Sequence, residues 1–261
     1  MSYQISTLKN LLAGARHIAV LTGAGISTES GIPDFRSPNG LYRTVTSEEV
    51  FNISFFNRYP ERFYQTFGPV YRSIVDARPN AGHLALAALE NSGREVTIAT
   101  QNIDNLHQKA GSRTVYELHG SLRTLTCRDC GRLYQLDGKE AEAARELTDL
   151  LAAGKVPRCA CGGVLKPDIV FFGEGLPEFA LGASVFAFES ADLVLALGTS
   201  LGVYPAAELP NRRDRSARFV IINAEPTPQD DNADLVIHAP LGETLQAAAP
   251  AAPAGGMPTA E

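Results

Sequence analysis

Short continuous runs of apolar, mostly β-branched residues recur along this chain, and each is followed by glycine, asparagine or another polar residue. Such runs are typical of strands buried on both faces of a parallel sheet, because strands with one exposed face alternate apolar and polar positions instead. The predicted strands are residues 18–22, 96–100, 115–118, 169–172, 193–197, 219–222 and 235–237.

Helical spacing separates several of these runs. Apolar residues occupy positions 8, 11, 12 and 15 before the first predicted strand and positions 84, 87, 88 and 89 before the second. This spacing places them on one face of an amphipathic helix. Alternating strands and helices predict an α/β fold whose main domain is a doubly wound, Rossmann-like parallel sheet.

Two segments interrupt the alternation. Residues 34–77 are rich in aromatics with helical spacing over 56–71, and residues 122–167 hold every cysteine and a charged helix at 139–153. We expect them to form one smaller domain, a helical module plus a metal-binding module, with the ligand cleft between it and the sheet. The Rossmann-like domain is then 1–33, 78–121 and 168–246. Residues 247–261 contain seven Ala, three Pro and two Gly and are predicted to be a disordered tail.

Charge and hydropathy narrow the class of partner. The chain has 23 Lys and Arg against 29 Asp and Glu, for a net charge of −6, which argues against broad electrostatic capture of nucleic acid or an anionic membrane. No stretch approaches the roughly 20 apolar residues that span a bilayer, and the N-terminus lacks the pattern of a signal peptide. We therefore expect a soluble, cytoplasmic protein with no membrane partner and no indication of nucleic-acid binding.

The four cysteines form two close pairs, C-x2-C and C-x-C, separated by 28 residues. In a reducing compartment such a cluster favours a metal over disulfides. Four thiolates close a tetrahedral site and leave no position for a substrate, so one structural zinc is predicted. The alternative is two redox-active or free thiol pairs. The predicted ligands are Cys127, Cys130, Cys159 and Cys161.

A glycine-rich turn, GAGIST at residues 23–28, follows the first predicted strand. In a dinucleotide-binding fold this turn places phosphates against backbone N–H groups and a helix N-terminus. The third glycine of G-x-G-x-x-G is replaced by Thr28, and no acidic residue follows the second strand in the usual place. By itself the turn is as often a structural device as a phosphate site.

Six segments closely resemble the motifs of the sirtuins, the NAD-dependent protein lysine deacylases, and of the bacterial deacetylases among them. They keep the family's order from about residue 18 to residue 237, around the cysteine pairs. The segments are TGAGISTESGIPDFRS at 22–37, TQNIDNLH at 100–107, ELHG at 117–120, PDIVFFGE at 167–174, GTSL at 198–201 and NAEP at 223–226.

The resemblance implies catalytic and NAD-binding residues. His119 would be the general base, since imidazole titrates near neutral pH, and Asn102 would act beside it. The other four histidines are interpreted as structural. Asp104 could orient the nicotinamide ribose or, alternatively, cap the helix that follows it, and Phe35 could be core. The residues implied for NAD are Ala24, Gly25, Thr28, Phe35, Arg36, Gln101, Ile103, Asp104, Gly198, Thr199, Ser200, Asn223 and Glu225.

The resemblance also implies the reaction and its substrate. The acyl oxygen of an acyl-lysine attacks the nicotinamide ribose and releases nicotinamide; His119 then activates a ribose hydroxyl, and free lysine and O-acetyl-ADP-ribose leave. Acetylated lysine-containing proteins or peptides would bind as an added strand; the alternative for these residues is core packing. The residues implied for the peptide are Val170, Phe171, Phe172, Gly173, Val203 and Tyr204.

The acyl preference follows from one helix. Sirtuins that prefer succinyl- or malonyl-lysine resemble one another in a Tyr-x-x-Arg pair, because a second carboxylate needs a cation. Here Tyr64 is present, but Phe67 replaces the arginine. We therefore expect acetyl or longer neutral acyl groups and no preference for succinyl.

Three other functions compete with an NAD-dependent protein-lysine deacetylase. An NAD-dependent protein ADP-ribosyltransferase would use the same nicotinamide cleavage with another acceptor, and a non-enzymatic sensor would bind NAD or acyl-lysine without turnover. A hydride-transfer dehydrogenase is disfavoured because the full dinucleotide fingerprint is missing.

Overall fold

The computed structural model describes residues 2–33, 50–136 and 141–249, except for the side chains of residues 141 and 143. Phe35 and Arg36, and the part of the predicted tail from residue 250 onward, lie outside the described residues. Within these three ranges, no helix is both long and apolar enough to cross a membrane.

The described elements alternate as the sequence predicts. Short 3₁₀ turns at Ala24–Ile26, Thr28–Ser30, Ala206–Arg212 and Asp230–Asn232 lie between them. In chain order the elements are α1 (Ser2–Gly14), β1 (His17–Thr22), α2 (Ile53–Arg58), α3 (Pro60–Asp76), α4 (Ala81–Asn91), β2 (Glu95–Thr100), α5 (Leu106–Lys109), β3 (Val115–Glu117), β4 (Gly120–Cys127), β5 (Leu133–Gln135), α6 (Ala141–Ala152), β6 (Leu165–Ile169), α7 (Glu178–Ser190), β7 (Leu193–Leu197), β8 (Arg218–Ile222), β9 (Leu235–Ile237) and α8 (Leu241–Ala248).

Six strands form one parallel sheet in the order β3-β2-β1-β7-β8-β9. All five residues of β7 are buried, as are the last five of β1 and of β2, which explains why these strands are continuously apolar. The predicted Rossmann-like sheet is confirmed. Its strand order reverses between β1 and β7, the point at which open α/β sheets bind ligands beyond the carboxyl ends of their strands.

The predicted strand at 169–172 is wrong. The strand in this region is β6, which ends at Ile169 and lies in a second, antiparallel sheet of order β5-β4-β6. The apolar run beyond Ile169 is explained by Phe171, which is 1% exposed in the aromatic core, so its burial comes from side-chain packing and not from the parallel sheet. Residues 120–121 and 168–169 thus belong to the second sheet, across the predicted domain boundaries.

The predicted tail begins too early, because residues 247 and 248 end α8 and Ala248 is buried. Leu245 and Ala248 pack with α1 and α4 on one face of the parallel sheet, and α7 covers the other face with Phe188. The helices predicted over 8–15 and 84–89 are present as α1 and α4. The helical segment predicted over 56–71 is divided at Tyr59 into α2 and α3, and the helix predicted over 139–153 is described from residue 141 as α6.

The two interrupting segments share one hydrophobic core. Phe63, on α3, is fully buried, and its ring centroid lies 5.8 Å from Phe51, 5.2 Å from Phe56, 5.1 Å from Phe67 and 5.1 Å from Phe171. The same cluster includes two of the cysteines and the inner faces of β4, β6 and α6. The aromatic helices and the cysteine module therefore form a joint core beside the sheet.

Candidate active site

Polar side chains from separate strands meet where the strand order reverses. Gln101 follows β2 and Thr199 follows β7, with β1 between the two strands. The Gln101 side-chain amide nevertheless donates to the Thr199 hydroxyl over 3.0 Å and to the Thr22 carbonyl over 3.4 Å. The Gln101–Thr199 bond passes the carboxyl end of β1 and links the two halves of the sheet at its carboxyl edge.

The glycine-rich turn packs backbone against backbone at this edge. Gly25 donates its N–H to the Gly198 carbonyl over 2.8 Å, and a Cβ on Gly23 or Gly25 would come within 2.8 Å of Gly198. Gly198 itself has φ +59°, and a Cβ there would lie 2.3 Å from the Ile26 nitrogen. The fold itself therefore requires these glycines.

The expected helix after this turn is replaced by the two 3₁₀ turns Ala24–Ile26 and Thr28–Ser30. The Ser27 and Gly31 N–H groups close them over 3.0 Å each. Because these turns are so short, the site lacks the dipole of a regular helix at this point. The residues implied for phosphate, Ala24 and Thr28, are half-buried and exposed respectively.

Asn102, Ser27 and Asp104 form a hydrogen-bonded chain. The Asn102 amide donates to the Ser27 hydroxyl and to the Gly23 carbonyl, both over 3.1 Å, and Ser27 donates to the Asp104 carboxylate over 2.6 Å. The other oxygen of Asp104 accepts from the Leu106 N–H over 2.9 Å. Asp104, which is 5% exposed, therefore accepts from the first N–H of α5, just before the N-cap residue Asn105.

A buried histidine pair lies beneath this chain. The rings of His83 and His107 are 4.9 Å apart, and His107 Nε2 lies 3.0 Å from the Thr22 hydroxyl, which donates to Thr100 over 2.8 Å. Burial lowers the pKa of His83 to about 4 and that of His107 to about 3, because a charged imidazole loses its hydration there. Both are neutral at pH 7, as expected for structural histidines.

His119 is held in a defined tautomer. Its Nδ1 lies 3.0 Å from the Gln101 carbonyl oxygen, and since a carbonyl oxygen only accepts, Nδ1 carries the hydrogen. Nε2 is therefore the nitrogen with a free electron pair in the neutral ring. Burial lowers the pKa of His119, opposed by its hydrogen bond to Gln101, so the neutral form is favoured near pH 7.

The segment 170–173 lies directly beside His119. Gly120 pairs with Ile169 across β4 and β6, and the Val170 N–H donates to the His119 carbonyl over 2.8 Å. Farther along, the Phe172 N–H donates to the Phe51 carbonyl over 2.8 Å. The antiparallel sheet thus brings together the predicted base and the predicted peptide segment, which lie fifty residues apart in the chain.

The remaining predicted residues follow β7 and β8. Thr199 is buried and its hydroxyl accepts from the Leu201 N–H over 3.2 Å, while Leu201 adopts φ +51°. This left-handed backbone, rare for leucine, is a local strain of the kind found at binding loops. The Asn223 amide donates to the Glu225 carbonyl over 2.7 Å. Val203 is half-buried and Tyr204 is 67% exposed.

The four cysteines converge at one end of the antiparallel sheet. The sulfur atoms of Cys127 and Cys161 are 3.6 Å apart, as are those of Cys130 and Cys159, and all four lie within 4.8 Å of one another. A disulfide needs about 2.0 Å, whereas a tetrahedral Zn–S₄ site with bonds of about 2.3 Å spaces its sulfurs by about 3.8 Å. The geometry fits a four-thiolate zinc site.

Each of the two cysteine pairs lies in a tight turn closed by a glycine N–H. The Gly131 N–H donates to the Cys127 carbonyl over 3.0 Å, and the Gly162 N–H donates to the Cys159 carbonyl over 2.8 Å. The Tyr134 hydroxyl adds a bond of 3.1 Å to the Cys159 sulfur. Two tight turns therefore preset the four sulfur positions.

Sequence reasoning missed Ser27 as a site residue, although it lies inside the glycine-rich motif. Its hydroxyl is the central member of the Asn102–Asp104 chain, and the residue is 1% exposed. Sequence reasoning also overlooked Lys166, whose buried ammonium lies next to the segment 170–173. A lysine inside an apolar run was the available signal.

Comparison with known proteins identifies the family. The model of the Sir2 family matches residues 23–205, about 70% of the chain. The chain belongs to the Sir2 family. This confirms the resemblance found in the sequence motifs, and the matched range covers the glycine-rich turn, His119, the segment 170–173 and all four cysteines.

Relatives and solved structures of the Sir2 family are similar over nearly the whole chain. The "NAD-dependent protein deacetylase 1" of Pyrobaculum aerophilum is 43% identical over 244 residues, covering 93% of this chain and 92% of that protein. A His-to-Ala Sir2 variant solved with deacetylated p53 peptide and 3'-O-acetyl-ADP-ribose has a TM-score of 0.85 at 41% identity, covering 94% of this chain and 96% of the other. A Sir2 complex with p53 peptide and NAD⁺ has a TM-score of 0.82 at 40% identity, covering 93% and 95%.

Proposed function

We propose that this protein is an NAD-dependent protein-lysine deacetylase that transfers the acetyl group of a modified lysine to ADP-ribose. The observation that carries the proposal is the placement of His119, with Nε2 as its free base, between the Gln101–Thr199 edge of the parallel sheet and the segment 170–173. Membership in the Sir2 family and the names of its relatives support the same activity.

The donors at the sheet edge suit the ribose and carboxamide parts of NAD. They are neutral amides and hydroxyls, which can bond to sugar hydroxyls and to an amide. Bound NAD supplies a ribose carbon that accepts the acyl oxygen and releases nicotinamide. Asn102 and Ile103 would orient the nicotinamide end, Gly198, Thr199 and Ser200 the phosphates and ribose, and Asn223 and Glu225 the adenosine; Asp104 would act through Ser27.

His119 provides the proton-transfer step. Its Nδ1–H bond to the Gln101 carbonyl orients the ring, and Nε2 accepts a proton from a ribose hydroxyl. The lowered pKa keeps this nitrogen unprotonated at neutral pH. Once charged, the imidazolium returns the proton during release of the products, so no protein nucleophile is needed.

The acyl-peptide would bind along the segment 170–173 and the Val203–Tyr204 pair. Phe172 uses both its backbone N–H and its carbonyl inside the protein, and Val170 uses its N–H, so main-chain pairing with a peptide is assigned to the Val170 carbonyl, Gly173 and the facing loop. Phe171 and its aromatic neighbours would form the apolar wall of the acyl-lysine site. Tyr64 bonds to the Leu165 carbonyl and Phe67 is fully buried, so neither of these two positions offers a cation to a succinyl carboxylate.

The four cysteines are proposed to hold one structural zinc ion. Their hydrophobic cluster is shared with the aromatic helices, and on this ground the two interrupting segments are proposed to form the smaller domain.

Because the four thiols must stay reduced to bind zinc, a cytoplasmic location is proposed as well.

The decisive experiment is a mass-spectrometric assay of the zinc-loaded protein with NAD and acetyl-, succinyl-, butyryl- or myristoyl-lysine peptides. We expect free lysine and O-acetyl-ADP-ribose from the acetyl peptide, and a loss of about 10²–10⁴-fold in turnover for His119→Ala. The exposed His17, at the opposite end of β1, serves as the control through His17→Ala. ADP-ribose retained on protein without deacetylation would support the transferase instead, and binding without turnover would support the sensor.

A further inference from the structure

One buried lysine organises the segment that leads from β6 into the proposed peptide-binding loop. Lys166 is 6% exposed. Its ammonium donates to the Ile169 carbonyl over 2.8 Å and to the Pro167 carbonyl over 3.2 Å, and it pairs with the Glu174 carboxylate at 3.0 Å. A lysine ammonium has three donors, and this one uses them on three points of a single nine-residue segment.

The carboxylate completes a closed loop of contacts. Glu174 Oε2 also accepts from the Phe171 N–H over 2.9 Å, and the Glu174 N–H donates to the Phe171 carbonyl over 2.9 Å. The Lys166 ammonium lies 4.2 Å from the centre of the Phe171 ring, within range of a cation–π interaction. Both the backbone and the ring of Phe171 are therefore fixed by the pair.

Burial without this pairing would be unfavourable. Burial lowers the pKa of Lys166, and the nearby Glu174 carboxylate opposes that shift. A buried ion pair stabilises a fold little compared with apolar packing, but it imposes one geometry on the groups it bonds. Here those groups lie on either side of Val170, whose N–H is bonded to the His119 carbonyl.

We propose that Lys166 and Glu174 are positioning residues for substrate: together they hold the segment 169–174 in the conformation that receives the acyl-lysine peptide. The inference rests on the proposed deacetylase function and adds to it two residues outside the sets assigned to NAD binding and to proton transfer. If the segment must be ordered before the peptide binds, then the apparent affinity falls in proportion to the competent fraction.

The test separates peptide binding from catalysis and from NAD binding. The variants are Lys166→Met, Glu174→Gln, the double variant and the conservative Lys166→Arg, each in the full-length, zinc-loaded protein. Peptide affinity is measured by fluorescence anisotropy with a labelled acetyl-lysine peptide, and KM and kcat by nicotinamide release. We expect Lys166→Met and Glu174→Gln to weaken peptide affinity by about tenfold, with KM for NAD and kcat within about twofold of wild type. Lys166→Arg should retain most of the wild-type peptide affinity because it keeps the charge.

The double variant distinguishes positioning from simple stabilisation. It removes both charges and leaves no unpaired buried charge, so its thermal stability should recover relative to Lys166→Met. Its peptide affinity should stay low, because the bonds that order the segment are still missing. The control is Glu90→Gln, which removes the carboxylate of the Arg113–Glu90 pair on α4. The Glu90 side chain is 7% exposed and lies away from this loop. This variant should lower stability but leave peptide affinity unchanged.

Two outcomes would overturn the inference. One is wild-type peptide affinity in folded Lys166→Met and Glu174→Gln; the other is recovery of peptide affinity together with stability in the double variant. Failure of the proposed function looks different: the wild-type protein itself would then release no nicotinamide with NAD and acetyl peptide.

Discussion

At the carboxyl edge of the six-stranded sheet, polar side chains from separate strands are fixed by bonds to backbone carbonyls and to one another, whereas at the end of the three-stranded sheet four thiols converge on one another. Gln101, Asn102 and His119 each bond to a backbone carbonyl. The cysteine sulfurs lie within 4.8 Å of one another, and a metal is the group that would hold them.

This difference teaches how each region is stabilised. The sheet edge is built on strands whose residues are almost all buried, so hydrophobic burial orders the site before any ligand binds. The three-stranded sheet is small, and β5 is half exposed. Small modules of this kind depend on a metal for their folding free energy. The following predictions test that contrast.

The largest effect is expected in the cysteine module. Cys159→Ser should reduce bound zinc from one ion per chain and unfold the module, because structural zinc contributes roughly 10–16 kcal/mol in small zinc-binding peptides. Metal analysis and thermal unfolding measure both effects. Asp129→Asn, between Cys127 and Cys130 but not a predicted ligand, is the control. Full zinc content in Cys159→Ser would contradict the four-thiolate site.

At the sheet edge, where no metal site is predicted, a steric clash with the backbone should lower the free energy of unfolding. In Gly198→Ala the new Cβ meets the Ile26 nitrogen at 2.3 Å and φ is +59°, so we expect a loss of about 2–5 kcal/mol in the free energy of unfolding. Denaturant titration measures it, and NAD titration should show weaker binding. Gly93→Ala, at φ +91° with no atom within 4 Å of the new Cβ, isolates the effect of φ. Equal losses in the two variants would exclude the clash.

Acid should destabilise the protein through its buried histidines. Since burial lowers the pKa of His107 to about 3 and that of His83 to about 4, the unfolded chain, with histidine pKa near 6.5, binds more protons between those values and pH 6.5. This contribution to stability is complete above pH 6.5 and is lost as the pH falls. From pH 7 to 5 each histidine should cost at most about 2 kcal/mol.

The variant His107→Gln tests this assignment. Chemical denaturation at several pH values should show a slope shallower by about one proton than in wild type, whatever the variant's stability at pH 7. His17→Gln, at an exposed position, is the control for replacing a histidine elsewhere in the chain. An unchanged slope in His107→Gln would mean that the ring is already charged in the folded protein.

The smallest effect is expected at the joint between α3 and β6. The buried Tyr64 hydroxyl donates to the Leu165 carbonyl, so Tyr64→Phe leaves a buried acceptor with one bond fewer and should cost about 1–2 kcal/mol. Thermal unfolding measures the loss, with Tyr3→Phe, 82% exposed, as control. NAD affinity should not change, and a change in it would show that the two regions are coupled.

Much of the fold could be predicted because buried parallel strands carry a direct signature in the chain. Continuous apolar runs located β1, β2, β3, β7, β8 and β9, and the polar residues after them marked the sheet edge. The prediction of a strand at 169–172 is wrong for a physical reason. An apolar run indicates burial but not which part of the protein buries it, and here the aromatic core and not the parallel sheet buries it.

The candidate site was only partly predictable. Motif positions named His119, Asn102 and the cysteines, but a motif does not state which hydrogen bonds a side chain makes. Ser27 and Lys166 were overlooked because their importance lies in contacts with residues 77 and eight positions away. Such contacts have no periodicity along the chain, so pattern analysis does not detect them.

The sequence by itself determined the family, the parallel sheet and the cysteine set, and it singled out His119 as the predicted base, since each is a matter of local pattern and spacing. Only the tertiary structure decided that Nε2 is the His119 nitrogen with the free electron pair, that Asp104 bonds to the first N–H of α5, and that Lys166 pairs with Glu174. The physical reason is that these properties depend on which donor meets which acceptor, and that pairing exists only after distant segments have packed together.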